Sequence, residues 1–174
     1  MSSSQWTLIP LLPLAAISVS AYATEYFTTE QVQQAIFPGA KFTPDTVTLT
    51  DDQVKQIEKM TDVNVRHKEI KAWKVVGGGW LIVDEVVGKH EFITYAVGLN
   101  ANGSVKQIEI MNYLESYGYG VREPAWRKQF VSKTSADPLK LEHDIANISG
   151  ATLSCKHVTD GVKRVLATYA IALK

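Results

Sequence analysis

The 174-residue sequence has a single cysteine, Cys155, so it cannot form an internal disulfide. It has no surplus of either charge: 18 Lys and Arg balance 18 Asp and Glu. A chain without a basic excess is not expected to bind nucleic acid, nor to be drawn to anionic membranes by charge. Its histidines, His67, His90, His143 and His157, show no metal-ligand spacing, and no haem attachment motif is present. Gly77-Gly78-Gly79 is not followed by the Lys and Ser or Thr of a phosphate loop. No nucleophile–base set stands out, and no internal repeat is visible.

Residues 1–23 lack Asp, Glu, Lys and Arg altogether. Leu8 to Val19 is apolar but broken by Pro10 and Pro13, too short for a comfortable membrane span. It ends in Ala21-Tyr22-Ala23, the small-x-small pattern that signal peptidases cut after. The expectation is a signal peptide over 1–23 and one domain over 24–174, with a retained anchor as the rival reading. The leader carries no Lys or Arg before its apolar run, unlike most signal peptides.

The remainder has the composition of a globular domain, 45% hydrophobic and 21% charged. Thr28 or Thr29 can cap a helix over Glu30–Phe37, stopped by Pro38-Gly39. Thr50 before Asp51-Asp52-Gln53 reads as a capping box opening a helix from Asp51 to about Thr61. From Trp73 to Asn112 the pattern predicts an antiparallel meander. Three or four strands are expected, among them Trp80–Val87, Glu91–Leu99 and Ser104–Asn112, the last two joined by an Asn100–Gly103 hairpin turn. A Gly- and Tyr-rich loop, Leu114–Arg122, leads to a helix over Ala125–Ser132 introduced by Pro124.

The last helix is expected over Leu153–Leu173. Val158, Val162, Val165, Leu166, Tyr169 and Leu173 share one side; Lys156, Asp160, Lys163 and Arg164 take the other, with Asp160 and Arg164 spaced to pair. The fold class is α+β: an antiparallel meander packed by a long C-terminal helix, with short N-terminal helices.

Ser149-Gly150-Ala151-Thr152-Leu153-Ser154 stands where that last helix begins. A helix start presents unpaired N–H groups and a positive dipole end, which together can hold a phosphate. Thr152 adds a hydroxyl at that point. Three readings are open: an anion site, a covalent phosphoester, or a helix cap. Cys155, just inside the helix, reads as a small packed residue, with a reactive thiol as the alternative.

The stretch Asn147–Ser154 resembles the flavinylation motif of the FMN-binding domain family. That family includes the C subunit of the sodium-pumping NADH:quinone reductase and the G subunit of the Rnf complex. The resemblance implies FMN joined by a phosphoester to Thr152, with Ser149, Gly150 and Ala151 shaping the phosphate end. It implies a separate flavin transferase that uses FAD and magnesium. A second segment, Glu115-Ser116-Tyr117-Gly118-Tyr119-Gly120, fits the family's Glu-x-x-Gly-x-Gly loop. By that resemblance Glu115, Tyr117 and Gly118 line the flavin ring.

Trp126 and Phe130 follow the loop and read as core, with a place beside the ring as the alternative. The resemblance covers about residues 70–172. One position departs from the family pattern: Ala146 stands where an acid usually lies six residues before the threonine, and Asp144 is the candidate substitute. His157 and Lys156 are the basic groups nearest in sequence to Thr152.

These implications make the chain an exported, periplasm-facing electron carrier served by membrane or periplasmic redox partners. The alternatives are a secreted α+β binding module without flavin and a small reductase with loosely held FMN.

Overall fold

A computed structural model describes residues 24–115 and 117–174; the expected cleavage site after Ala23 lies outside the described residues. The strands are β1 (Thr24–Glu25), β2 (Phe42–Pro44), β3 (Val47–Thr48), β4 (Glu69–Val75), β5 (Trp80–Val87), β6 (Phe92–Leu99) and β7 (Val105–Tyr113). The helices are α1 (Thr29–Ile36), α2 (Asp51–Thr61), α3 (Pro124–Arg127) and α4 (Thr152–Thr168). The sheet order is β1-β7-β6-β5-β4-β2, with β3 also paired to β4, and every strand pair is antiparallel.

The first two helices start where local chemistry dictates. The Thr28 hydroxyl accepts the Gln31 N–H while the Gln31 side chain accepts the Thr28 N–H; Thr50 and Gln53 repeat the exchange. Each box satisfies donors that a helix start leaves free. In the meander, Asn100 N–H bonds Ser104 O at 2.8 Å and closes the expected hairpin between β6 and β7.

Both sheet faces are covered. On one, Val158, Val162, Val165 and Leu166 of α4 join Ile82, Val86, Tyr95 and Val97 in the main buried cluster. Gly161 lets the helix come this close, since a Cβ there would collide with Tyr95 Oη. On the other face, Val32 and Ile36 of α1 pack with Leu81, Ala96 and Met111. Among the described residues no helix is long and apolar enough to cross a membrane.

The expected α+β class is what the structure has. Several details differ. Arg164 is not on the outer side of α4: its side chain is 7% exposed, and its guanidinium pairs with Asp84 at 2.6 Å. It also donates to Asn64 O and Glu85 O, and Tyr95 Oη donates to the same Asp84 oxygen at 2.8 Å. Asp160 pairs with Lys156 instead, at 2.6 Å. A carboxylate placed on a covered sheet face needs a cation, and that long-range demand outweighs a weak neighbour pair on the helix surface. α3 is one turn rather than two, passing into a tighter 3₁₀ turn at Lys128–Phe130. α4 begins at Thr152, and its last turn widens to a π-helix over Tyr169–Leu173.

Candidate functional site

β7 carries the chain to Tyr113 and then to Glu115, whose carboxylate is buried. That carboxylate accepts the N–H of His90 at 2.5 Å and of Glu91 at 3.0 Å, bracing the loop against the β5–β6 turn. Burial pushes the Glu115 carboxyl up, but the N–H groups of Glu91, His90 and Lys89 outweigh burial and hold it below the usual carboxylate range. Glu115 therefore sits under the loop as its anchor.

Above this anchor Tyr117 projects into solvent, 81% exposed, and Tyr119 is 48% exposed. Between them Gly118 adopts φ +84° and lies directly against the start of α4. A Cβ on Gly118 would stand 2.7 Å from Tyr113 Oη and 3.1 Å from Ser154 Oγ. Tyr113 Oη donates to Tyr117 O at 2.5 Å and lies 3.1 Å from Ser154 Oγ. Burial lifts the Tyr113 hydroxyl above the ordinary tyrosine range, so it stays protonated as the clasp between loop and helix. The Tyr119 ring lies 5.6 Å from that of Tyr113. The Arg122 guanidinium is held between the rings of Tyr26 and Tyr119, 4.7 Å from each.

The start of α4 is bare. Ala151 occupies the cap position and no side chain caps the helix, so neither Ser149 nor Thr152 is the helix cap. Backbone bonds tighten the approach instead: Ala151 N–H to Ile148 O and Cys155 N–H to Ala151 O, both 2.9 Å. Gly150 has φ +80° with open space where a Cβ would be, and Ser149, Gly150, Thr152 and Leu153 are exposed. No acidic residue stands in the first turn, whereas α2 has Asp51 and Asp52 there. A small anion therefore meets free N–H groups and no opposing carboxylate in that turn. Thr152 Oγ1 accepts a hydrogen bond from Asn147 Nδ2 at 3.1 Å.

The segment before the helix is fixed from below. Trp126 Nε1 donates to Ala146 O, and Ala146 N–H donates to Gln129 Oε1, each at 2.7 Å. Trp126 and Phe130 are buried core residues, as expected. The Asp144 carboxylate accepts the N–H groups of Lys140 and Leu139 and pairs with Lys133 at 2.9 Å. Asp144 thus organises its own loop and has no hydrogen bond to the helix start.

His157 faces elsewhere, its Nδ1 3.0 Å from Gly88 O, and Lys156 is held by Asp160. Cys155 is fully buried, and burial pushes its thiol up. Iodoacetamide should therefore leave native protein unlabelled at neutral pH and label it once unfolded; rapid native labelling would contradict the packed reading. Among the described residues no cluster of His, Cys, Asp and Glu could hold a metal. A cavity of about 270 Å³ lies between β4, β5 and α4, floored by Asp84 and Arg164, and shares no lining residue with the helix start.

The structure thus brings Gly118 to Ala151 and Ser154, with Tyr117 beside it in the loop, and ties Glu115 to the β5–β6 turn. Sequence reasoning missed Tyr113 and the side chain of Asn147. Tyr113 falls between the expected strand Ser104–Asn112 and the expected loop Leu114–Arg122, and Asn147 was visible only as a letter of the motif. Residues 88–167 match the family model described as the FMN-binding domain. The match runs from the β5–β6 turn to near the end of α4, shorter than the 70–172 resemblance, and contains all seven candidate residues. No curated protein matches the chain.

Proposed function

We propose, from the match of residues 88–167 to the FMN-binding domain family, that this protein is an exported electron carrier whose FMN is joined by a phosphoester to Thr152. One observation carries the reading. Gly118 lies against Ala151 and Ser154, so a loop bearing the exposed Tyr117 and Tyr119 meets an uncapped helix start whose first residue is the exposed Thr152.

The residues present fit the group. The Thr152 oxygen would be one ester oxygen of the phosphate. The free N–H groups at the start of α4 would neutralise its remaining charge, with Ser149, Gly150 and Ala151 leaving room for approach. Tyr117 and Tyr119 would bound the ring, Gly118 would keep them at the helix start, and Glu115 would hold the loop in place. When bound, FMN supplies the redox chemistry; the protein supplies attachment, orientation and electrostatic environment. The first turn of α4 brings no acid to repel the phosphate.

Maturation would need a flavin transferase acting on the exposed Thr152. Redox partners at the membrane or in the periplasm would then exchange electrons with the flavin. A covalent link suits an exported carrier, because flavin lost outside the cytoplasm is not easily replaced. The test is acid precipitation of protein co-expressed with a flavin transferase. The expected result is a yellow pellet. Release of all colour into the supernatant would instead identify a loosely held flavin, and no flavin in either fraction would sink both readings.

A further inference from the structure

We infer that Glu142 and Asn147 form a relay that orients the Thr152 hydroxyl as a phosphoryl acceptor; this rests on the phosphoester reading above. Asn147 Nδ2 lies 3.1 Å from Thr152 Oγ1 and 3.4 Å from Glu142 Oε1. Both hydrogens of one amide nitrogen are engaged, one by each partner. Asn147 Oδ1 is buried and, among the described residues, has no hydrogen-bond partner.

That orphaned oxygen shows what the arrangement favours. An amide can be turned over in the same space, exchanging its oxygen and nitrogen. Turned over, Oδ1 would face the Glu142 carboxylate, and two acceptors would repel. Glu142 thus decides the sense of the Asn147 amide, and an N–H is directed at Thr152. The threonine oxygen accepts that bond, so its own hydrogen points away from Asn147, leaving a lone pair and the proton free on the exposed side. The backbone supports this placement, since Ala146 is held by Trp126 and Gln129 immediately before Asn147.

In the attachment step Thr152 Oγ1 forms a bond to the FMN phosphorus of FAD. The pyrophosphate P–O bond breaks, AMP leaves with that electron pair, and the Oγ1 proton passes to a base of the transferase. No electron is gained or lost. Asn147 is a positioning residue: it holds the attacking oxygen and takes no proton.

The test measures the rate at which pure protein gains the FMN increment, followed by intact mass, with flavin transferase, FAD and magnesium. Wild type is compared with Asn147→Ala, Glu142→Ala, the double variant and Thr152→Ala, and each is melted thermally. Asn147→Ala should load about three- to tenfold more slowly, the range expected for one hydrogen bond. Glu142→Ala should slow loading less, and the double variant no more than Asn147→Ala alone. Two independent structural losses would multiply instead, and that outcome would overturn the relay. If Asn147→Ala melts well below wild type, Glu142→Ala, at an exposed position, carries the test. Loading of Asn147→Ala at the wild-type rate would overturn the inference and leave the phosphoester standing. No increment on wild type would overturn the phosphoester itself.

Discussion

Arg164→Ala should destabilise the folded protein by about 3–5 kcal/mol, the usual cost of removing one partner from a buried ion pair. The Arg164 side chain is 7% exposed and that of Asp84 is 22% exposed, so solvent cannot replace the lost partner well. Among the described residues Asp84 would keep only the Tyr95 hydroxyl, and Asn64 O and Glu85 O would lose donors. For a chain of this size the melting temperature should fall by roughly 6–20 °C. Asp84→Leu combined with Arg164→Met should recover part of the loss, because removing both charges leaves neither stranded. A fall below about 1 kcal/mol in the single variant, the range of surface ion pairs, would show that the pair is solvated.

Thr152→Ala should abolish covalent flavin and leave the fold intact. The loss is complete because no neighbouring hydroxyl shares its place: Ser149 lies three residues earlier, in the turn that precedes the helix, and Ser154 is buried with its hydroxyl beside Tyr113. The fold is indifferent because Thr152 is exposed and caps nothing; a surface change of this kind usually stays within about 0.5 kcal/mol. Thr152→Ser should still accept flavin, since the hydroxyl remains. The check is flavin absorbance retained by denatured protein, beside a thermal melt of each variant. A large drop in melting temperature on Thr152→Ala would mean the residue is structural. Undiminished bound flavin would mean another atom carries it.

The parts of the fold legible in sequence are those set by neighbours along the chain. The Thr28 and Thr50 boxes exchange bonds over three residues, so their letters suffice. The meander declares itself through β-branched runs and an Asn-rich turn. β1, β2 and β3 are two or three residues long, too short for any period to show, and exist because longer strands offer free edges. Arg164 was placed on the wrong side of α4 because its partner, Asp84, is 80 residues away.

The site divides in the same way. Ser149 to Thr152 was legible as a motif at a helix start, but the absence of a side-chain cap was not. The place of Glu115 beside the ring was implied by the family resemblance of its loop. Its bonds to the β5–β6 turn, 24 and 25 residues back, could come only from the fold. Tyr113 carries no letter pattern at all, and its role follows from where β7 ends.

The central claim, a phosphoester at Thr152, is tested most directly by fragmentation mass spectrometry of protein made together with a flavin transferase. The prediction is one peptide heavier by FMN less one water, with the increment on Thr152. An increment on any other residue, or flavin that leaves on denaturation with every peptide at its unmodified mass, would contradict it.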